Sequence, residues 1–272
     1  MVYEPYSVLM TVYKKDNPDY FWQSLESMLT QSVKPDEVVV ITDGPITDEL
    51  QTVIDELDKN YPGIIKEIRL NENVGLGTAL KIGVPKCKHE LIARMDSDDI
   101  SLPNRCKLQL EAFAENPLLD IIGYSIKEFS GSVDNIIGER RVPESNAEIY
   151  KFGKLRDPFN HPTVMFRKSK VLSSGNYGSY RKNQDSDLWI KMLSHNAVCM
   201  NLSEDQFRFR FDVATYARRK NWINTSSLIE IRYKAWKNGY NTMMEFLIIS
   251  IGQIARYVLP NCFQMILYKI IK

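Results

Sequence analysis

Three carboxylates stand close together in the chain, shortly after an apolar run. Asp96, Asp98 and Asp99 follow Leu91-Ile92-Ala93. Buried, unpaired carboxylates are costly, so such a cluster is a poor core element. A hard divalent cation, by contrast, takes oxygen ligands and commonly binds substrate phosphates as well. Asp96 and Asp98 would project to one side of an extended segment, which predicts a metal–diphosphate site. A solvated acidic turn that caps the next helix is the alternative.

The elements that must position this cluster are strands that alternate with helices. Apolar, β-branched runs predict strands, and apolar residues at helical spacing, such as Phe21, Leu25 and Met28, predict the helices between them. The predicted strands span 6–13, 37–42, 64–70 and 90–95. This alternation is typical of βαβ units, so we expect an α/β fold with a mixed, mostly parallel central sheet flanked by helices.

Several polar stretches follow these strands directly. In parallel sheets, ligands bind outside the carboxyl ends of the strands, so these stretches should line one crevice. Tyr13 could stack on a nucleobase or simply cover the end of the sheet. Asp43 could accept hydrogen bonds from a base or ribose, or serve only as a turn former in Asp-Gly-Pro. The stretches are Thr11 to Tyr13, Asp43, Asn71 to Gly75 and Asp96 to Asp99.

Two residues outside the strand ends could also carry chemistry. Asp185 lies at the start of a predicted helix, where an acid is either a simple first-turn residue or a carboxylate held ionised as a proton acceptor. His161, next to Pro162, could contact a substrate or metal, although a satisfied loop histidine is the commoner role. Arg94 could pair with the acids beside it or bind a phosphate bidentately.

The bulk composition fits an ordinary globular protein. The 272 residues are 44% hydrophobic and 25% charged, with a net charge of +1. From residue 213 onward, nine Lys and Arg oppose two Glu, giving +7, so residues 1–212 carry −6. A basic C-terminal segment on an acidic body suggests that this segment faces something anionic. Nothing in the pattern points to nucleic acid, and we expect no such partner.

The cysteines and the apolar segments bear on location. The four cysteines are scattered without a C-x-x-C pair, which fits a reducing cytosol. The chain opens without a signal-peptide pattern, and the apolar stretch 246–271 is too interrupted for a spanning helix. Helices predicted at 224–238 and 243–270 carry an apolar face bordered by basic residues. Such a face either lies on an anionic membrane surface or packs on the rest of the protein.

Taken together, these segments resemble the inverting family 2 glycosyltransferases, which have the GT-A fold. The resemblance covers residues 6 to about 215 and is strongest to bacterial amylovoran-type and O-antigen or capsule transferases. It implies a glycosyltransferase domain over residues 1–215 and an amphipathic helical extension over 216–272. The similar stretches are, in order, Ser7 to Tyr13, Val40 to Gly44, Asn73 to Leu80, Ala93 to Asp99, His161 to Arg167 and Asp185 to Trp189.

The resemblance also implies roles for single residues. Asp185 matches the catalytic base, and Asp98, with Asp96, matches the ligands of Mn²⁺ or Mg²⁺. His161 and Trp189 are candidate contacts to the acceptor or donor. Two departures from the family pattern are Gln184, where Glu is usual, and Lys81, where Asn is usual. The implied nucleotide-sugar site comprises Thr11, Val12, Tyr13, Asp43, Asn73, Gly75, Arg94 and Asp96.

The predicted reaction is the metal-dependent, inverting transfer of a hexose, glucose or galactose, from a UDP-sugar to a lipid-linked oligosaccharide in bacterial surface polysaccharide biosynthesis. We expect an undecaprenyl-diphosphate-linked saccharide as acceptor. The basic C-terminal helices would hold the protein at the cytoplasmic face of the inner membrane. A sugar-1-phosphate nucleotidyltransferase is one alternative, but the loop 14–18 lacks the expected glycines. A non-catalytic sugar-nucleotide-binding module is the other.

Overall fold

A computed structural model describes residues 3–211 and 221–258 of the chain. Strands and helices alternate in its first half, as predicted. The strands are β1 (Tyr6–Val12), β2 (Glu37–Thr42), β3 (Ile65–Arg69), β4 (Leu91–Met95), β5 (Ile100–Ser101), β6 (Ile121–Tyr124), β7 (Ile126–Phe129), β8 (Ile136–Arg140), β9 (Met165–Arg167), β10 (Cys199–Leu202) and β11 (Phe207–Arg210). The helices are α1 (Pro18–Leu29), α2 (Asp48–Asn60), α3 (Leu76–Gly83), α4 (Arg105–Glu115), α5 (Asn146–Gly153), α6 (Lys168–Ser173), α7 (Gln184–Ser194), α8 (Trp222–Lys237) and α9 (Met243–Val258).

Local sequence explains where these elements begin. The side chain of Asn17 caps α1 by accepting a hydrogen bond from the backbone N–H of Tyr20, and Pro18 occupies the first turn. Every residue of β2 is buried, as its continuous apolar run requires for a central parallel strand. Ser145 and Glu148 form a capping box at the start of α5.

Seven strands form the central sheet in the order β10-β6-β9-β4-β1-β2-β3. Strands β4, β1, β2 and β3 are parallel neighbours, and β9 runs antiparallel between β4 and β6. This arrangement confirms the predicted mixed, mostly parallel sheet. A second, four-stranded sheet in the order β5-β11-β7-β8 was not predicted. Its strands are short, and β5 and β11 are distant in sequence from the strands with which they pair, so no local pattern predicts the whole sheet.

Helices cover both faces of the central sheet and bury one apolar cluster on each. One cluster joins α1, α2 and α4 to the sheet, with Phe21, Leu50 and Leu110 among its members. The other includes residues of α3, α5, α7 and α8, with Leu80 and Trp189 among them. The segment that carries the predicted base, α7, is therefore packed between the sheet and the C-terminal helix α8.

The C-terminal helices match the predicted positions in part. Helix α8 lies within two residues of the predicted 224–238, and α9 covers the start of the predicted 243–270. Residues 259–270 lie outside the described residues, and so does the predicted domain boundary between residues 215 and 216. Within the described ranges, the helices all fall short of the length and apolar character that crossing a membrane requires.

Candidate active site

The carboxyl ends of β1 to β4 meet at one edge of the central sheet. Val12 pairs with Thr42, and Thr42 pairs with Arg69, while Met10 pairs with Met95. The loops after these strands are therefore neighbours. They bring together the polar stretches at Thr11 to Tyr13, Asp43, Asn71 to Gly75 and Asp96 to Asp99, so the crevice expected from strand order exists.

The acidic bend (residues 96–99) lies where the chain leaves the central sheet and enters the small one. Strand β4 ends at Met95 and β5 begins at Ile100. Carboxylate oxygens of Asp96, Asp98 and Asp99 lie within 4.8 Å of one another. The backbone between them bends, so the expectation of an extended segment was wrong. The carboxylates converge because the chain turns between two sheets, not because alternate residues share a face.

Asp99 is the buried anchor of this bend. Its Oδ1 accepts a hydrogen bond of 2.8 Å from the backbone N–H of Arg210 in β11, and it is 0% exposed. The Nε of Arg210 donates to the carbonyl of Asp98 at 2.7 Å. Burial, followed by the charge of Asp98, raises the pKa of Asp99 well above its usual value. Asp99 therefore fixes the position of its neighbours and is poorly placed to serve as a charged ligand.

Asp98 is the open member of the bend. Its side chain is exposed to the crevice, whereas Asp96 is partly exposed. Partial desolvation of the carboxylate within the bend is the largest cause that raises the pKa of Asp98 to about 7. The negative charges of Asp96 and Asp16 raise it further. A divalent cation would relieve the repulsion between these carboxylates, and hard oxygen donors are what Mg²⁺ and Mn²⁺ prefer. The donor set of Asp96 and Asp98 therefore fits a divalent ion.

Arg94 lies beneath the acidic bend. Its side chain is 1% exposed, and its Nη2 donates a hydrogen bond to Oδ1 of Asp96. Its Nε and Nη1 find no hydrogen-bond partner among the residues described. The guanidinium also lowers the pKa of His161, after burial, and opposes the raised pKa of Asp185. The charge of Arg94 thus acts on both the acidic bend and the predicted base.

Asp43 is buried and holds the donor loop (residues 71–75). Its Oδ1 accepts from the backbone N–H of Val74 at 2.7 Å, and its Oδ2 accepts from the N–H of Gly75 and the amide of Asn73, both at 3.0 Å. Gly75 has φ +87°, a conformation that favours glycine. The turn-forming role considered for Asp43 thus extends to fixing a second loop 30 residues away.

The end of β1 contributes backbone more than side chains. Val12 is 1% exposed within the apolar core, and its carbonyl accepts from the N–H of Asp43 at 2.8 Å. A side-chain contact from Val12 to the nucleotide, one way to understand its predicted role, is therefore ruled out by its burial. Thr11 and Tyr13 are partly exposed at the crevice. The N–H of Tyr13 donates to Oδ2 of Asp16 at 3.1 Å.

Asp185 lies in the first turn of α7 and is partly exposed. Burial of its surroundings, followed by the charge of Asp157, raises its pKa to about 6. Backbone N–H groups of the helix start and the charge of Arg94 oppose that rise. A carboxyl group with this pKa is mostly ionised at neutral pH. Its pKa is also near enough to the working pH for it to accept a proton efficiently.

His161 and Trp189 do not line an open surface. The Nε2 of His161 lies 2.9 Å from the hydroxyl of Tyr177, and His161 is 7% exposed. Trp189 is 1% exposed and packs edge-on against Phe159 and His161. As a correction to the expected sugar contacts, both side chains pack in the interior, because neither is open to a sugar. Helical spacing on α7 could have signalled the burial of Trp189.

The two departures from the family pattern lie at the edges of this region. Gln184 is 7% exposed at the first position of α7, beside Asp185. Lys81 is exposed on α3, and its carbonyl accepts from the amide of Asn176 at 3.0 Å.

Two residues that sequence reasoning missed join the loops of the crevice. Arg181 donates to the side-chain and backbone oxygens of Asn73 at 3.1 and 3.2 Å, so it clamps the donor loop. Asp16 accepts from Ser97 Oγ at 2.9 Å and so links the β1 loop to the acidic bend. Both are exposed or partly exposed polar residues in loops, where sequence alone gives no partner.

Comparison with known proteins gives the family. The family model described as "Glycosyl transferase family 2" matches residues 7–173. A UDP-Gal:alpha-D-GlcNAc-diphosphoundecaprenol beta-1,3-galactosyltransferase of Escherichia coli is 35% identical over 97% of this chain and 95% of its own length. The amylovoran biosynthesis glycosyltransferase AmsE of Erwinia amylovora is 33% identical over 83% of this chain and 84% of its own.

Solved structures show the fold. S. aureus TarS 1-349 in complex with UDP-GlcNAc has a TM-score of 0.67 at 17% identity, covering 86% of this chain and 66% of that one. The mannosyltransferase PcManGT from Pyrobaculum calidifontis, in complex with GDP-Man and Mn²⁺, has a TM-score of 0.66 at 14% identity, covering 97% and 72%. These structures confirm the predicted GT-A fold, and the family model and the relatives confirm the predicted family. The chain belongs to glycosyl transferase family 2 and is a glycosyltransferase.

Proposed function

We propose that this protein is an inverting, metal-dependent hexosyltransferase that uses a UDP-sugar donor and a lipid-diphosphate-linked saccharide acceptor. One observation carries the proposal. Arg94 pairs with Asp96 of the acidic bend, and its charge also acts on Asp185. A site for the donor diphosphate and a candidate base therefore border the same crevice, as a single displacement at the anomeric carbon requires.

In this proposal Asp185 is the general base. It takes the proton from the acceptor hydroxyl as that oxygen forms its bond to the anomeric carbon, while the bond to the UDP oxygen breaks on the opposite face. Because inversion is one displacement, one base is enough. General-base catalysis typically contributes ~10²–10⁴-fold to the rate. The pKa of about 6 supports the role, since the ionised form predominates at pH 7.

Asp98 and Asp96 would hold the divalent cation, with Asp99 fixing the bend from below. Bound there, Mn²⁺ or Mg²⁺ would neutralise the charge that develops on the diphosphate leaving group. Arg94 adds a fixed positive charge beneath Asp96, and its two nitrogens without partners among the described residues make it a further candidate for stabilising that group. The donor loop, held by Asp43 and Arg181, would form the wall of the nucleotide pocket.

The relatives narrow the choice of substrates. The Escherichia coli relative is named for transferring galactose from UDP-Gal to GlcNAc-diphosphoundecaprenol, and it aligns over almost the whole chain. We therefore propose UDP-galactose as the first donor to test and a GlcNAc-diphosphate-lipid as the first acceptor. Surface polysaccharide assembly is the corresponding process, since relatives are named for amylovoran and O-antigen biosynthesis.

We also propose that α9 rests on the membrane that carries the acceptor. One face of this helix is apolar and exposed, with Ile251 at 66% and Val258 at 71%. This exposed apolar face comprises Met244, Leu247, Ile248, Ile251 and Val258. These residues recur at helical spacing and lie on one side. A lipid surface fits this face because the acceptor is itself lipid-linked and because the same helix carries the basic residue Arg256. The protein would then work peripherally at the cytoplasmic side of the inner membrane.

The direct test is a UDP-release and product assay. The protein is incubated with Mn²⁺, a panel of UDP-hexoses and synthetic GlcNAc- or GalNAc-diphosphate-lipids, and the product linkage is determined by NMR. We expect acceptor-dependent UDP release and a β-linked product when the donor sugar is α-linked to UDP. Retention of the anomeric configuration would exclude the single-displacement proposal. UDP-sugar synthesis from a sugar-1-phosphate and UTP would instead identify a nucleotidyltransferase.

A further inference from the structure

We infer that the C-terminal helix α8 positions the catalytic base through those of its side chains that contact the segment around Asp185. The inference rests on the proposed role of Asp185. Asp185 lies in the base segment (residues 180–186), which joins a loop to the first turn of α7. Three separate groups on α8 hold this segment, and the segment in turn contacts the donor loop through Arg181.

The first contact is made at Asn183, directly before α7. Asn183 has φ +57°, a left-handed conformation that costs energy for any residue with a side chain. Its side-chain amide donates to the carbonyl of Asn224 at 2.8 Å and to Oγ of Ser227 at 2.7 Å, both on α8. These bonds offset the cost of the backbone conformation, and they set the direction from which the chain enters α7.

The second contact passes through the partly exposed carboxylate of Asp157 and joins two buried residues, Ser186 and Arg232. Ser186 Oγ donates to Oδ2 of Asp157 at 2.7 Å, and Ser186 is 1% exposed. Arg232 of α8 lies 3.7 Å from Oδ1 of the same carboxylate and is 2% exposed. Its Nη1 donates to the carbonyls of Gly153 and Lys154 at 2.9 and 3.2 Å. Arg232 is thereby held in place by two backbone carbonyls. Its charge keeps Asp157 next to Ser186, the residue that follows Asp185.

The third contact is exposed and weaker. The hydroxyl of Tyr180 donates to Glu230 at 3.1 Å and accepts from Lys234 at 2.8 Å. Exposed pairs of this kind contribute little to stability because water and salt screen them. They nevertheless extend the attachment to the start of the base segment. Ser227, Glu230 and Lys234 recur at helical spacing and lie side by side on α8. Arg232, two residues after Glu230, reaches Asp157 from a different side of the helix.

Packing alone does not require these polar groups. Ile231 and Ala235 already bury the apolar stripe of α8 against the domain. A buried arginine and a left-handed asparagine are costly unless their geometry is used, because both need specific partners. The base segment also contacts the donor loop, because Arg181 packs against Gly75. Helix α8 therefore fixes the base relative to the donor pocket.

The test compares two charge-removing variants of the full chain on the same helix. Arg232→Met removes the buried cation, and Lys237→Met removes an exposed cation that lies on α8 away from the base segment. Arg232→Lys is the conservative variant. Steady-state kinetics with UDP-galactose and a short-chain GlcNAc-diphosphate-lipid in detergent give kcat and the donor KM. Hydrogen exchange reports the amides of residues 184–188, and Asp185→Asn is measured in parallel.

We expect Arg232→Met to lower kcat by roughly 10- to 100-fold, because misplacing a reacting group by about 1 Å has effects of that size. The donor KM should stay within about twofold of wild type, since Asp43 still holds the donor loop in this variant. Amides 184–188 should exchange faster, Arg232→Lys should restore part of kcat, and Lys237→Met should match wild type. Should Arg232→Met fail to fold, Asn183→Gly replaces it, because glycine keeps the positive φ while removing both bonds to α8.

Two results separate the failures. If Asp185→Asn retains turnover, the assignment of the base is wrong. If Asp185→Asn is inactive while Arg232→Met and Asn183→Gly keep wild-type kcat, α8 does not position the base. A parallel loss of kcat, donor affinity and melting temperature would likewise overturn the inference, because it would show general destabilisation.

Discussion

The backbone N–H of Gly75 donates a hydrogen bond of 3.0 Å to Oδ2 of Asp43, across 32 residues of sequence. The N–H of Val74 and the side chain of Asn73 complete the contact, so both carboxylate oxygens of Asp43 serve the donor loop. The loop is thus held at the end of β2 by a buried acceptor. Its position is fixed before a nucleotide arrives, which lowers the entropy cost of binding.

This relationship predicts that Gly75→Ala impairs donor binding specifically. Alanine at this position would have to adopt φ +87°, and its Cβ would lie 2.9 Å from Cγ of Arg181. Gly63 provides a matched control, because it has φ +80° and nothing lies within 4 Å of an added Cβ. Both alanine variants should lose about 1–2 kcal/mol of unfolding free energy. Only Gly75→Ala should raise the donor KM, and equal kinetic effects would show that the clamp is unimportant.

Asp185→Asn should abolish most turnover while leaving UDP-sugar binding largely intact. The amide keeps the size of the side chain but cannot accept the acceptor's proton. We expect kcat to fall by ~10²–10⁴-fold. Isothermal titration with UDP and Mn²⁺ checks that the donor site survives. Turnover near the wild-type level would remove Asp185 from the role of base.

The pH dependence of the reaction should report the same group. The ionised carboxylate is the active form, and the pKa of Asp185 is raised to about 6. Activity should therefore be full above pH 7 and should fall as pH drops through about 6, by tenfold per unit below it. The measurement is kcat/KM for the acceptor with saturating metal and donor. Those conditions keep Asp98, whose pKa is raised to about 7 without metal, in its ionised form. A flat profile down to pH 5 would contradict the prediction.

Metal binding should separate Asp98 from Asp99. Asp98→Asn removes an exposed charge from the proposed ligand set, so Mn²⁺ affinity in the presence of UDP should fall by roughly tenfold or more. Asp99→Asn is the matched control: its pKa is raised well above the usual value, so the protonated acid and the amide are similar in charge. We expect near-normal Mn²⁺ affinity for Asp99→Asn by isothermal titration. The reverse order of effects would exchange the two roles.

Membrane attachment should depend on the exposed apolar face of α9. Ile251→Glu places a charge at its centre, where the side chain is 66% exposed and its loss costs the fold little. Leu118→Glu is the control, because Leu118 is 76% exposed in the loop after α4. In flotation with vesicles that contain anionic lipid, Ile251→Glu should bind less than wild type and Leu118→Glu should bind equally. Removing residues 243–272 without loss of flotation would exclude the proposal.

The sequence predicted the crevice because its determinants are local. Strand β4 and its acidic neighbours are contiguous, and the parallel order of β1 to β4 follows from alternating helices. The family resemblance then supplied Asp185. The contacts that hold the acidic bend and the donor loop in place could not be predicted, because they join residues far apart in sequence. Asp99 meets Arg210 across 111 residues, and Arg181 meets Asn73 across 108.

The interpretation of Trp189 failed for a related reason. An aromatic residue four positions after a candidate base can stack on a sugar or fill the core, and only the packing of α7 decides. Trp189 is buried against Phe159 and His161, both of which come from a loop whose position no periodicity predicts. The small sheet was missed because β5 has two residues and β11 four.

The bond between Asp99 and Arg210 has a consequence for how the protein is made. During synthesis the acidic bend leaves the ribosome more than 100 residues before the strand that fixes it. Until β11 is complete, the bend lacks both the backbone N–H that binds Asp99 and the guanidinium that binds the carbonyl of Asp98. Contacts between residues so far apart form late, because their loop-closure entropy is lost before they stabilise the chain. A fragment that ends before residue 210 should thus fold its central sheet but leave the acidic bend without the contacts that fix it.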